Sequence, residues 1–270
     1  MRCSVTAGGK RLRPVLCLAS AEAVGGTRAA AMAAACAIEL IHTYSLIHDD
    51  LPAMDNDTMR RGRATLHVVA GEGMAILAGD GLLTEAFALL AREPRNDDAV
   101  VAARKLRVIA LVAAAAGAAG MVGGQAIDLA CVTPGPTGQL APALDADGVR
   151  AMHAKKTGAL IRASAVAGAI MGGGADRAIQ AIDAAAAELG LAFQIIDDVL
   201  DVDGASADLG KTAGKDAAAG KPTYPALYGV PRSRQMAAEC LDRARTALAA
   251  ADLADSRLLQ IGRWIVDRAN

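Results

Sequence analysis

Apolar positions run through this chain in long stretches interrupted at glycine and proline, with no strict alternation of the kind a half-buried strand requires. Residues 29–50 contain no Gly or Pro and stop just before Pro52, which predicts one long helix. Further helices are predicted at 73–91, closed by Pro94, and at 97–119. The pattern resumes at 147–171 up to the Gly172-Gly173-Gly174 break, then at 176–201, and closes with amphipathic segments at 233–250 and 255–270. Residues 133–142 (TPGPTGQLAP) are the clearest loop, and a polar, Gly-rich loop is predicted at 204–221. No repeat of fixed period and no long linker divides the chain, so a single domain spanning 1–270 is expected.

Composition sharpens this to an all-α fold. The chain holds 65 alanines against six aromatics (Tyr44, Phe87, Phe193, Tyr224, Tyr228, Trp264). Alanine is the best helix former, whereas sheets lean on aromatic and β-branched residues. Residues 108–127 carry no charge over a span-length stretch, but their glycines and alanines fit a buried bundle helix better than a membrane span. Charge is balanced, 28 basic against 29 acidic residues, so no field draws the chain to nucleic acid. Five cysteines without metal spacing suit a reducing cytoplasm, and no signal peptide is evident at the N-terminus.

Two acidic clusters carry the candidate chemistry. One is Asp49-Asp50-Leu51-Pro52-Ala53-Met54-Asp55; the other is Asp197-Asp198-Val199-Leu200-Asp201. Each follows an apolar helical stretch. At 100° per residue Asp197 and Asp201 share a helix face, with Asp198 at its edge. Asp49 and Asp55 would splay on a straight helix, so Pro52 is expected to break it and let Asp55 swing back. Crowded carboxylates favour a counter-cation, and hard oxygen ligands completed by water and phosphate suit Mg²⁺.

Basic residues complement them. Lys10 and Arg13 follow a glycine pair at the start of a helix, Arg60-Arg61 follows the first acidic cluster, Lys155-Lys156-Thr157 forms a third point, and Lys211, Lys215 and Lys221 lie in the Gly-rich loop. Together they describe phosphate clamped by cations on one side and bridged by metal on the other. No Walker-type loop, no GxGxxG after a strand and no HExxH is present, so nucleotide binding and zinc hydrolysis are poorly supported.

These motifs resemble one family, the short-chain trans-prenyl diphosphate synthases, most closely the bacterial farnesyl diphosphate synthases. GGKRLRP, IHTYSLIHDDLPAMDNDTMRRG, GMVGGQAIDL, KKTGALI, FQIIDDVLD and LGKTAGKDAAAGKPTYPAL follow one another in the family's order from Gly8 onward. The resemblance implies an all-α isoprenoid-synthase fold around a deep apolar cavity, a homodimer, and three Mg²⁺ ions. It implies that Asp49, Asp55 and Asp197 are the principal metal ligands, supported by Asp50, Asp198 and Asp201 directly or through metal-bound water. Arg60, Lys156, Lys211 and Lys221 would hold the allylic diphosphate, and Lys10, Arg13, His42 and Arg61 the diphosphate of isopentenyl diphosphate. Thr157 and Gln194 would line the reacting centre. His48 and Lys215 are not assigned.

The expected activity is condensation of isopentenyl diphosphate with dimethylallyl or geranyl diphosphate to farnesyl diphosphate. The C15 expectation rests on Tyr44, about 7.5 Å below Asp49 on the same helix, with Ser45 beside it. An aromatic ring there would floor the cavity. The alternatives are a geranylgeranyl diphosphate synthase, differing in cavity depth, and a terpene cyclase, disfavoured because DDVLD and GGKRLRP are intact. Only seven residues precede Gly8, so the family's first N-terminal helix is expected to be missing.

Overall fold

The central segment of the bundle is an Ala- and Ile-rich helix with a single charged residue, Arg162, near its start. A computed structural model describes residues 1–95, 97–134, 138–203 and 223–268. In it α1 is Arg2–Val5, α2 Leu12–Ala23 and α3 Arg28–Asp49, followed by a two-stranded hairpin, β1 (Met59–Arg60) against β2 (Arg63–Ala64). Then come α4 (Leu66–Ala70), α5 (Glu72–Arg92), α6 (Ala99–Ala116), α7 (Met121–Val132), α8 (Ala146–His153), one π-turn (Ala154–Gly158) and α9 (Ala159–Gly172). The chain closes with α10 (Asp176–Asp203), α11 (Tyr224–Tyr228), α12 (Val230–Ala249) and α13 (Arg257–Asp267). The all-α expectation holds, with the hairpin as an unforeseen exception.

α9 is buried on every side, from Leu160 and Ile161 through Val166 to Met171, and α2, α3, α6 and α10 pack around it. A helix apolar all round can only be a core helix in such a bundle. Its small residues let backbones touch. A Cβ on Gly168 would fall 1.9 Å from the carbonyl oxygen of Cys17 on α2, and one on Gly26 would fall 2.4 Å from the Cα of Gly172. α3 starts at Thr27, whose hydroxyl accepts from the Ala30 N–H at 3.3 Å. It runs to Asp49, one residue short of the predicted end.

Four helical stretches are long and apolar enough to cross a bilayer by length and composition alone. Two of them, α3 and α10, bury about half of that apolar window inside the protein, as core helices do. The expectation of one buried helix at 108–127 is corrected in two ways. A turn at Gly117–Gly120 separates α6 from α7, and on α6 only Val108, Val112 and Ala116 are buried. The segment touches the bundle along one narrow stripe, so Val100, Leu106 and, on α7, Val122 stay exposed. Lys10 also differs from expectation: Arg11, at φ 50°, is the N-cap residue of α2, which places Lys10 outside the helix.

Two glycine substitutions separate close packing from helix propensity. Gly168→Ala must push α9 off α2 and is expected to lower Tm by several degrees, since overpacking costs about 1–3 kcal/mol. Gly73→Ala on α5 meets nothing within 4 Å and is expected to leave Tm unchanged or slightly raised. Thermal unfolding of the two variants checks both.

Candidate active site

The first acidic cluster is shaped by the end of α3. With Pro52 next to its last turn the helix stops, and the chain folds back so that the Asp55 N–H donates to the Asp49 carbonyl at 2.9 Å and the Asp57 N–H to the Asp50 carbonyl at 3.1 Å. Asp55 therefore returns beside Asp49, as its spacing across Pro52 anticipated. The Asp49 carboxyl is pushed up from its ordinary 3.8 to about 6, first by burial, with Asp55 and Asp50 adding repulsion and Lys156 and Arg60 opposing it. A carboxylate held in this way is one that a cation would relieve.

Asp50 and Asp198, the second members of the two pairs, point the other way. Asp50 is buried and receives Arg60 Nε and Nη2, both at 2.6 Å from Oδ1. Asp198 is buried and accepts from Gln194 Nε2 at 2.7 Å and from the Tyr224 N–H at 3.0 Å. Both carboxylates are braced by protein donors. Asp197 instead is 39 % exposed. Asp201 is half-buried near the end of α10.

The basic residues converge on the same end of the bundle. The β1–β2 hairpin turns on Arg61 and Gly62, at φ 53° and 70°, the left-handed pair of a two-residue hairpin turn. Arg61 donates to the Gly8 carbonyl, and a Cβ on Gly9 would lie 2.5 Å from its guanidinium carbon. Gly9, at φ 116°, is thus both turn and seat. Arg13 is buried, its Nε has no partner, and burial draws its pKa down to about 10 while Glu39 and Asp197 pull it back up. His42 lies well below its ordinary value because of burial and then Arg13, Arg61, Arg60 and Arg11. Glu39 answers this charge through Arg11, at 2.5 Å. With Asp197 acting on Arg13 and Asp50 on Arg61 from its edges, the nest gathers four arginines around the neutral-leaning His42. Lys10 joins it from the other side: burial lowers its pKa, the Arg268 charge lowers it further, and Asp197 opposes.

Lys156 sits on the π-turn between α8 and α9, an arrangement common at functional sites. It is close enough to Asp49 to oppose that group's raised pKa, and its ammonium pairs with Asp128 of α7. The turn lies hard against α7, where a Cβ on Gly124 would fall 2.2 Å from the Lys156 backbone nitrogen. Thr157 Oγ donates to Gln194 Oε1 at 2.9 Å, continuing the line to Asp198. Lys211 and Lys221 lie outside the described residues.

Sequence reasoning missed Asp128, Glu39 and Arg268. Asp128 and Glu39 are lone charges inside apolar stretches, and that was the available signal; Arg268, next to Asp267 at the end of the chain, offered none. Among the described residues no three His, Cys, Asp or Glu side chains form a ready metal cage. Oxygen donors that leave room for water and phosphate fit Mg²⁺, which binds few protein ligands. A cavity of about 510 Å³ between α2 and α13 meets these residues only at Lys10. Tyr44 is buried with its ring edge-on to His48, centroids 5.7 Å apart, and Ser45 donates to the His42 carbonyl.

Comparison with known proteins places the chain in a family. The Polyprenyl synthetase family profile matches residues 1–254. The chain is 46 % identical over 276 residues to the heterodimeric geranylgeranyl pyrophosphate synthase large subunit 1 of Arabidopsis thaliana, covering 100 % of this chain and 71 % of that protein. It is also 46 % identical over 270 residues to a dimethylallyltranstransferase of Fischerella ambigua, covering 100 % of this chain and 75 % of the other. Among solved structures, an FPP/GFPP synthase from Zymomonas mobilis superimposes with a TM-score of 0.81 at 39 % identity, over 96 % of this chain and 84 % of that one. A geranyltransferase from Helicobacter pylori, complexed with magnesium and isoprenyl diphosphate, gives 0.81 at 32 % identity over 97 % and 84 %. With the motifs in order and the whole chain matched, this protein belongs to the polyprenyl synthetase family.

Proposed function

We propose that the chain is a Mg²⁺-dependent trans-prenyl diphosphate synthase whose product is geranylgeranyl diphosphate. The observation that carries the activity is the opposition of charges at one end of the bundle. Burial and the neighbouring Asp55 and Asp50 disfavour negative charge on Asp49, while burial and mutual repulsion disfavour positive charge on Lys10, Arg13, His42 and Arg61. A diphosphate bridged by cations on one side and gripped directly on the other satisfies both. Asp49, Asp55 and Asp197 would hold the Mg²⁺, which when bound neutralises charge on the departing diphosphate.

Arg60 and Lys156 hold the allylic diphosphate in this reading, with Lys211 and Lys221 assigned by sequence alone. Lys10, Arg13, His42 and Arg61 hold isopentenyl diphosphate with its double bond toward the allylic carbon. The allylic C–O bond breaks, the isopentenyl double bond forms the new C–C bond to the resulting cation, and a proton leaves to the released diphosphate. Thr157 donates its hydroxyl hydrogen bond to Gln194 Oε1, which leaves the Thr157 oxygen lone pairs to face positive charge as it develops. The surrounding Ile, Leu and Ala side chains keep water from the cation.

Relatives 44–46 % identical along the whole chain and named geranylgeranyl pyrophosphate synthases support the C20 product better than the C15 expected from the sequence. The C15 reading keeps one observation in its favour, the buried Tyr44 ring beside Asp49. Chain-length analysis after incubation with isopentenyl diphosphate, Mg²⁺ and dimethylallyl, geranyl or farnesyl diphosphate separates them. A C20 alcohol after dephosphorylation is expected, unchanged in Tyr44→Ala. A C15 product that lengthens in Tyr44→Ala establishes the floor, and no condensation with any starter overturns the activity.

Burial and repulsion at Asp49 give a second expectation. Its pKa is raised on folding, so the stability it withholds is fully present below pH 3.8 and lost as pH rises through about 6. Asp49→Asn is therefore expected to raise the Tm of the metal-free protein at pH 7 while abolishing condensation. A Tm equal to or below wild type contradicts this.

We further infer a homodimer through α4 and α5. Val68 and Val69 on α4 and Met74, Ile76 and Leu77 at the start of α5 are all exposed large apolar side chains within ten residues of one another in sequence, and clustered exposed apolar surface marks interaction sites. Light scattering is expected to give a dimer, and the double variant Ile76→Glu, Leu77→Glu a monomer. A monomeric wild type overturns the inference.

A further inference from the structure

Arg268, immediately after α13, has a nearly sealed side chain, 2 % exposed, while its acidic partner opens to solvent. Its Nη2 lies 2.7 Å from Asp197 Oδ1 and donates to the Phe193 carbonyl at 2.7 Å. Nε donates to the Ile265 carbonyl at 3.2 Å, and the guanidinium carbon stands 4.1 Å above the centre of the Phe193 ring. Two backbone carbonyls and an aromatic face thus fix the group before it meets any carboxylate. Nη1 is buried with no partner.

This geometry favours a role beyond anchoring the tail. A surface ion pair between two mobile side chains contributes little. Here the cation is immobile and approaches Asp197 from its buried side through one oxygen, which leaves the rest of the carboxylate on the open side. The planar fork bridges the Phe193 carbonyl and the carboxylate together, which a lysine ammonium on a flexible stem reproduces poorly. Phe193 and Asp197 lie one turn apart on α10, so Arg268 holds both the helix and the rotamer of its acidic residue. Outer-shell partners of this kind set the affinity of the carboxylates they orient.

We propose that Arg268 is the positioning residue of Asp197, holding that carboxylate with one face turned to the site so that it can take a cation with diphosphate. The proposal rests on Asp197 being a cation-binding residue, as set out above. It makes Arg268, just after α13, part of the active-site architecture.

The test measures Mn²⁺ binding by electron paramagnetic resonance in the presence of inorganic pyrophosphate, together with Tm and the separate kcat and KM of condensation. Arg268→Gln is expected to weaken Mn²⁺ binding about 10–100-fold, and Arg268→Lys to recover part of the loss. Asp197→Asn supplies the reference. If Arg268 acts through Asp197, adding Arg268→Gln to Asp197→Asn weakens binding no further, whereas independent effects multiply. Wild-type Mn²⁺ affinity in Arg268→Gln, with affinity lost in Asp197→Asn, overturns the proposal and leaves the site reading intact. Wild-type affinity in Asp197→Asn overturns both. Where Arg268→Gln does not fold, Arg268→Lys decides: a several-fold loss supports the proposal, and unchanged affinity overturns it.

Discussion

Buried charge without a matching partner is the constraint around which this protein is arranged. Taking a carboxylate or guanidinium out of water is costly unless an opposite charge meets it. The chain meets part of that need internally: Asp50 with Arg60, Lys156 with Asp128, Arg11 with Glu39, Asp197 with Arg268. What remains is an excess of negative charge around Asp49 and of positive charge around Arg13 and His42. The two excesses differ in sign and lie at one end of the bundle. A ligand that brings both cations and anionic oxygens would answer both, which is why the proposed metal-bound diphosphate suits this end of the bundle.

The helices can deliver these charges to one place because small residues let them approach closely. Gly168 brings α9 onto α2, Gly124 lets the π-turn carrying Lys156 lie on α7, and Gly9 makes room for the Arg61 guanidinium. In each case a methyl group would collide with backbone or with the functional group itself. The abundance of alanine has the same consequence along α9, where a bulkier core would hold α3 and α10 too far apart for their acidic ends to serve one ligand. Packing and chemistry are therefore coupled here through side-chain size.

Much of this was legible in the sequence. The breaks at Gly and Pro marked most helix boundaries to within a few residues, and Pro52 predicted the return of Asp55 to Asp49. Other features depended on contacts distant along the chain. Nothing local shows that Arg11 takes a left-handed conformation, so α2 begins after Lys10 instead of carrying it. The 108–127 stretch reads as a core helix because it lacks charge, yet whether an apolar helix is central or peripheral depends on which neighbours fold against it. The roles of Asp50 and Asp198 were hidden for the same reason. Adjacent aspartates look alike in sequence, and only Arg60, Gln194 and the Tyr224 N–H distinguish the bracing member of each pair.

Product length is where local and global information part. Tyr44 invites a short product because its ring is large and lies one turn and a half below Asp49. Its ring, however, packs edge-on to His48, and His48 Nε2 in turn lies 3.1 Å from the Ile76 carbonyl on α5. A ring held along the α3–α5 seam limits chain growth only if the growing prenyl chain runs along that same seam. If the chain runs between α3 and α9 instead, the side chains facing that gap set its length and Tyr44 is a packing residue. Whole-chain likeness to C20 synthases averages over every wall of the cavity, whereas one aromatic position reports on a single wall. That difference in what each signal samples is the physical reason for giving the longer product precedence.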